Sequence, residues 1–157
     1  MGTDITTRDF TATTFIVRQG RTLLLWHRKL QAWFPPGGHI DADELPEDAA
    51  VREVVEETGL EVEILGKRQK WGSVQVLQSP VCILLEDISA GHQHIDLIYF
   101  ARVIGGADEK IDDLEATGSR WCDWDELGST DIQEDIRRLG RQAIRQVMAD
   151  RQGQSGP

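Results

Sequence analysis

The sequence predicts an α/β layered domain, and three observations carry that prediction. A β-branched run, Thr11–Arg18, is followed by Gln19-Gly20 and the apolar Leu23–Trp26, which reads as a hairpin. Helical signals then fill Pro46–Thr58, with further strand-like runs behind them. An amphipathic helix closes the chain, and strands interleaved with two main helices indicate layered α/β architecture. With 157 residues the chain is one ordinary domain, long enough for a real core. Residues 1–150 are expected to form that single domain, with 151–157 a disordered tail.

The elements can be justified in order. His27–Gly38 is expected as a loop holding Trp33, Phe34 and the run Pro35-Pro36-Gly37-Gly38. Two glycines after two prolines imply a backbone that turns sharply and presents its own carbonyls or amides. Pro46 suits a first helical turn, Ala49 and Ala50 favour helix, and Gly59 supplies the stop. Strands are expected over about 61–69, 74–86 and 93–103, with a short one near Ser119–Cys122. The turn at Asp125-Glu126-Leu127 leads into a helix over Gln133–Ala149, where Ile136, Leu139, Ala143, Ile144 and Val147 recur at helical spacing.

Charge narrows the partners. Seventeen Lys and Arg stand against 27 Asp and Glu, a formal net charge of -10. Duplex nucleic acid is gripped through a basic footprint, and this chain has none of that balance. An anionic substrate would need a cation between it and the protein. Cys82 and Cys122 make no CxxC pair and read as reduced thiols. No apolar run approaches membrane-spanning length, and Met1–Phe10 lacks a signal-peptide apolar region. A cytoplasmic protein is expected, and the excess of Arg over Lys hints at a bacterial source.

The informative stretch is Gly38–Leu60. At about 100° per residue, Glu53, Glu56 and Glu57 share one arc of the helix, while Val51, Val54, Val55 and Thr58 lie roughly opposite. Clustered carboxylates repel one another unless something positive sits among them, and hard divalent cations such as Mg²⁺ or Mn²⁺ are the natural occupants. Arg52 can pair with Glu44 or Glu56 and hold the cluster. A Glu-rich helix alone is usually just a solvated face.

The spacing of the whole stretch decides more. Gly38-x5-Glu44-x7-Arg52-Glu53-Val54-x-Glu56-Glu57-x-Gly59-Leu60 matches without a gap the signature of the Nudix hydrolases, and so resembles the MutT-like members of that family. Seven fixed identities at ~7% usage each give a chance match of about 10⁻⁸ per register. Arg120-Trp121 and Asp125-Glu126-Leu127 are also similar to a segment many members carry before their last helix. The resemblance implies an α/β/α sandwich around a mixed sheet. It further implies a pyrophosphohydrolase using Mg²⁺ (or Mn²⁺) on a nucleoside diphosphate linked to some group X. By residue match, the Gly38 carbonyl and Glu53, Glu56 and Glu57 would hold metal, and Glu53 would in some members also serve as base. Arg52 would orient Glu53 or Glu56, and Glu44 would be structural. One departure stands out: Leu45 precedes Pro46 where the family usually has a Ser or Thr cap. The missing cap costs ~1 kcal/mol. Asp43, Glu47 and Asp48 can partly offset it through the helix dipole.

Outside that stretch the signals weaken. His92, His94 and Asp96 alternate on one face of an expected strand, a spacing a zinc site can use, but no third anchored ligand is evident. Lining of a nucleotide pocket and ordinary surface placement are the competing readings. Asp112, Asp113 and Glu115 sit where some members place an additional acid, as does Asp96. Trp33 and Trp71 could stack a base. His27, Arg28 and Lys29 could meet terminal phosphates. Arg137, Arg138, Arg141 and Arg145 read as the exposed face of the last helix.

For substrate, the family's markers for ADP-ribose (a proline) and dinucleoside polyphosphates (a tyrosine) are missing from the windows at Gln75-Val76 and Leu77-Gln78. That favours a nucleoside di- or triphosphate. The alternatives are a dinucleoside polyphosphate, ADP-ribose, a nucleotide sugar or coenzyme A. A catalytically silent ligand-binding module on the same fold is the reading of another class. It is disfavoured because the box glutamates are all kept. The expected partner is a small-molecule nucleotide, with no duplex nucleic acid or membrane; a homodimer is compatible with the sequence.

Overall fold

The computed structural model describes residues 5–107, 110–111 and 118–153. Its strands are β1 (Thr7–Arg18), β2 (Arg21–His27), β3 (Ala32–Phe34), β4 (Gly37–His39), β5 (Leu60–Ile64), β6 (Gln69–Trp71), β7 (Val74–Val76), β8 (Cys82–Ser89), β9 (His92–Gly106) and β10 (Ser119–Cys122). The two main helices are α1 (Pro46–Thr58) and α2 (Glu134–Gly153), with a short 3₁₀ turn at Glu126–Gly128. All the strands but β6 and β7 belong to one mixed sheet whose spine runs β10-β2-β1-β9-β5. β3 attaches to β2, β4 to β1 and β8 to β9, while β6 and β7 form a separate hairpin. The central pair β1 and β9 is parallel, in register from Thr7 opposite His92 to Val17 opposite Arg102.

Alternation along β1 and β9 sends side chains to two cores, one under each helix. Phe15, Val17, Ile98 and Phe100 pack with Ile136, Leu139, Ala143, Ile144 and Val147 of α2. Ala12, Ile16, Tyr99 and Ala101 pack with Ala49, Ala50 and Val54 of α1. The expected α/β sandwich is thus the observed one, with burial of Val54 alone contributing about 1.5–3 kcal/mol.

Several sequence expectations need correcting. The stretch 27–38 is not all loop: Ala32–Phe34 pairs with β2 and Gly37–His39 with β1. The strand expected over 61–69 ends at Ile64, and Arg68 leaves the sheet to bind α1. The strand expected over 74–86 is two, β7 and β8, with Pro80 in the break, where it withholds a ladder N–H. Val55, assigned to the buried face of α1, is 41% exposed, because the core stripe runs instead through Ala50, Val54 and Thr58. α2 continues to Gly153, into the segment expected to be disordered; Gln154–Pro157 lie outside the described residues.

The start of α1 shows how the missing cap is met. Leu45 is extended and supplies no side-chain cap, although its carbonyl accepts from the N–H groups of Asp48 and Ala49. The acids of the first turn are claimed by Arg68, whose Nε donates to Glu47 at 2.8 Å and Nη2 to Asp48 at 2.6 Å. Glu47 is only 1% exposed, so this contact is a paired buried charge rather than a diffuse dipole effect. The far end is closed by Gly59 in the left-handed region at φ 73°, with its N–H on the Val55 carbonyl.

Candidate active site

Two glycines set the geometry. Neither Gly37 nor Gly38 has positive φ, so the pair does not serve a sharp turn. It permits close approach on two sides. A Cβ on Gly37 would meet Thr13 Oγ1 at 2.6 Å and the Ala12 carbonyl at 2.8 Å, across the β1–β4 pairing. A Cβ on Gly38 would meet the Glu53 carboxylate at 2.5 Å. The strand carrying Gly38 therefore lies directly against α1, at the point where its acidic arc begins.

Arg52 organises that arc. Its Nε donates to Glu44 Oε2 at 2.8 Å and Nη2 to Glu44 Oε1 at 2.9 Å, a forked pair. Its Nη1 donates to Glu53 Oε1 at 3.0 Å and to Glu56 Oε2 at 3.2 Å, and Nη2 also reaches the His39 carbonyl at 3.0 Å. One guanidinium thus ties the loop before α1 to two of the three box carboxylates, and it holds the Glu44 carboxyl below the usual range. Glu57 stands apart from Arg52. Its Oε2 accepts from the Gly37 N–H at 3.3 Å. Burial, and then the Glu53 charge, push its carboxyl up to about 7. Glu53 against Gly38, Glu57 on the Gly37 N–H and Glu56 held beside Glu53 by Arg52 form an oxygen donor set suited to a hard divalent cation.

Beside this cluster, between the sheet and the start of α2, lies a cavity of about 730 Å³. That volume is within the usual range for small-molecule sites. Gly37, Gly38, His39 and Glu57 form one wall, so cavity and carboxylate cluster are continuous. Leu25, Trp26, Phe34, Leu84 and Ile98 give it an apolar side. Along the sheet from Gly37, Asp96 is buried and accepts from Thr11 Oγ1 at 2.9 Å and Thr13 Oγ1 at 2.8 Å. Glu86, hydrogen-bonded to Asp96, is pushed up to about 8, first by burial, then by that bond and by the charges of Asp96 and Asp135.

The expected site residues divide. Glu57, Gly38, His27, Lys29, His92, His94 and Asp96 line the cavity, and Arg52, Glu53 and Glu56 cluster at its edge. Burial and the rings of His39 and His92 push the His94 imidazole down. Arg28, Trp33 and Trp71 are not among its described lining residues. Trp33 instead packs on Trp26, with ring centroids 5.2 Å apart, and donates to Asp131 at 3.2 Å. Trp71 sits on the β6–β7 hairpin, 67% exposed. Asp112, Asp113 and Glu115 lie outside the described residues. The sequence reading missed Glu86. Its signal was there: along β8, Cys82, Leu84 and Glu86 alternate inward, and an acid at an inward position of an alternating strand is a buried acid. It also missed Asp9 and His39, which only the pairing of β1 with β9 and β4 brings beside His92 and His94.

Similar proteins agree with this arrangement. The chain is 32% identical over 117 residues to a protein named RNA pyrophosphohydrolase from Thioalkalivibrio sulfidiphilus, covering 64% of this chain and 62% of that one. It is 32% identical over 107 residues to a Bacillus subtilis protein provisionally named 8-oxo-dGTP diphosphatase, covering 68% of this chain and 60% of that one. The chain therefore spans less than two-thirds of the length of these curated relatives. The structure matches a crystal structure described as a hydrolase of the NUDIX family from Clostridium perfringens, with TM-score 0.74 and 29% identity, over 90% of this chain and 99% of that one. The family model described as the NUDIX domain matches residues 7–143, a span that runs from β1 into α2 and takes in both the carboxylate cluster and the cavity, so the chain belongs to the NUDIX domain family.

Proposed function

We propose that the chain is a divalent-cation-dependent pyrophosphohydrolase that cleaves a diphosphate linkage in a nucleoside diphosphate linked to X, with a nucleoside di- or triphosphate as the favoured substrate. The observation that carries this reading is the clustering of Glu53 against Gly38, Glu57 on the Gly37 N–H and Glu56 beside Glu53 on Arg52, which Glu44 clamps from behind. The close approach of Gly38 to Glu53 leaves room for an ion only while no side chain stands there, which is the fit expected of a metal cradle. Gly38, Glu53, Glu56 and Glu57 would hold Mg²⁺ or Mn²⁺. When bound, such an ion neutralises the phosphates and lowers the pKa of coordinated water.

The chain's own residues do the rest. Arg52 engages Glu53 through Oε1, so Oε2 is the oxygen free to take a proton from the attacking water. Its second bond holds Glu56 at a fixed angle, which keeps the cluster assembled before substrate arrives. The apolar wall of Trp26, Phe34 and Leu84 suits a nucleobase, and Glu86 with Asp96 can both donate to and accept from its polar edge. His27 and Lys29 line the same cavity and suit distal phosphates.

The test is a hydrolysis screen with Mg²⁺ and separately Mn²⁺, products identified by mass. The panel holds canonical and oxidised nucleoside di- and triphosphates, 5′-triphosphorylated oligoribonucleotide, dinucleoside polyphosphates, ADP-ribose, nucleotide sugars and coenzyme A. Turnover of one class that is lost on chelation supports the reading. Silence across the panel with both metals, together with metal-dependent ligand binding, would instead favour a binding module.

A further inference from the structure

Three of the chain's four histidines stand together in the lining of the cavity. His39 comes from β4, and His92 and His94 from β9. Their ring centroids are 5.1 Å apart for His39 and His94 and 5.2 Å for His92 and His94. Asp9 of β1 reaches into the group: its Oδ2 is 3.1 Å from His39 Nε2 and 3.2 Å from His92 Nε2. The donor atoms of Asp9, His92 and His94 all lie within 4.8 Å of one another.

The hydrogen bonds of His92 set what faces Asp9. The Thr7 hydroxyl lies 3.3 Å from the Gly91 carbonyl and 2.8 Å from His92 Nδ1, and its single proton serves one of the two. When it goes to the carbonyl, Nδ1 carries the ring proton and the Nε2 lone pair faces the Asp9 carboxylate at 3.2 Å, the tautomer that takes up a metal ion. When it goes to Nδ1, Nε2–H donates to Asp9, and an incoming metal ion displaces that proton. Tetrahedral ligands about 2.0–2.1 Å from zinc lie roughly 3.3 Å from one another, close to both Asp9 separations. An imidazole whose outer nitrogen is held by a hydrogen bond is also the usual arrangement of a metal-ligating histidine.

We propose that Asp9, His92 and His94, with a water in the fourth position, form a second cation site for a borderline first-row divalent ion of the Zn²⁺ type. It is distinct in donor chemistry from the all-oxygen cluster on α1. Because the three histidines also line the cavity, a bound ion adds positive charge to the wall that an anionic substrate passes. The site ties β1 to the start of β9 at one end of the sheet. The inference stands on these donors alone and does not depend on the hydrolase reading.

The experiment is a Zn²⁺ titration against a chromophoric chelator, in excess Mg²⁺, on the full chain. Co²⁺ as a spectroscopic probe reports geometry through its visible absorption. One Zn²⁺ per chain is expected, with the intense Co²⁺ bands of a tetrahedral site. His92→Gln and His94→Gln should each weaken Zn²⁺ by about 10²-fold or more, and Asp9→Asn by roughly 10–100-fold. The double change Glu53→Gln with Glu56→Gln should leave this site intact. Zinc affinity unchanged in the histidine variants, or lost in the glutamate variant, overturns the proposal. Should the histidine variants not fold, ring ¹H–¹⁵N spectra of the unaltered protein decide. Movement of the His92 and His94 Nε2 signals on adding Zn²⁺ supports the site; ring signals that do not respond to Zn²⁺ overturn it.

Discussion

Glu53, Glu56 and Glu57 fall within five residues of one helix, whereas the strand wall of the cavity joins side chains as far apart as Thr11 and Asp96, 85 residues distant. The first group needs only the helical repeat and one arginine to assemble. The second needs β1 to lie parallel to β9 in a single register, since a slip of one residue would turn Asp96 and His94 to the opposite face. Chemistry that is local in sequence is held by local geometry; chemistry spread over strands is held by the whole sheet. The two halves should therefore fail differently. Changes on α1 should remove activity and spare the fold, while changes on the strand wall should reach stability as well.

The largest expected effect is at Glu53. Glu53→Gln keeps the size and the bond from Arg52 but removes the charge, and kcat should fall about 10²-fold or more with an unchanged melting temperature. Next is Gly38→Ala, whose new methyl would sit 2.5 Å from the Glu53 carboxylate. Turnover should drop roughly 10–100-fold through displacement of Glu53, with raised metal requirement, as steady-state kinetics over a Mg²⁺ series would read. Arg52→Lys follows. A lysine supplies one point charge where the guanidinium makes a fork on Glu44 and reaches Glu53 and Glu56, so a loss of about 10-fold in kcat is expected.

The strand wall gives a smaller effect of another kind. Glu86 is held protonated up to about 8 in the folded chain, against 4.5 for the ordinary group. Between those values the native state binds more protons than the unfolded state, so this part of the stability, fully present below about 4.5, is lost as pH rises toward 8. Glu86→Gln should flatten that slope, which denaturant titrations across the same pH span would measure. The smallest effect is at Trp71. On its exposed hairpin, Trp71→Ala should change stability by no more than about 0.5 kcal/mol and leave kcat/KM unaltered.

The same contrast explains what could be read in the sequence. α1 was legible to its ends, because Pro46 and Gly59 are local signals with fixed conformational meaning. The α/β layering followed from element order. The break between β7 and β8 was harder, since Val74–Glu86 is uniformly strand-like apart from Pro80. Trp33 and Trp71 are large aromatics flanking the box, yet their places depend on Trp26 and Asp131 in one case and on a solvent-exposed hairpin in the other. Arg68 could not be paired with Glu47 from spacing alone, because most of α1 and all of β5 lie between them. Asp9 and His39 carry no motif at all; register alone gives them their neighbours.

The account's central claim is that the Gly38 and α1 carboxylate cluster performs metal-dependent hydrolysis of a nucleotide diphosphate linkage. The most direct measurement is product release from nucleoside di- and triphosphates by the wild-type chain and by Glu53→Gln, each with Mg²⁺ and with chelator. The account predicts turnover only in the wild-type chain with metal, and a folded, inactive variant. Equal turnover by Glu53→Gln, or wild-type turnover that survives chelation, would contradict it.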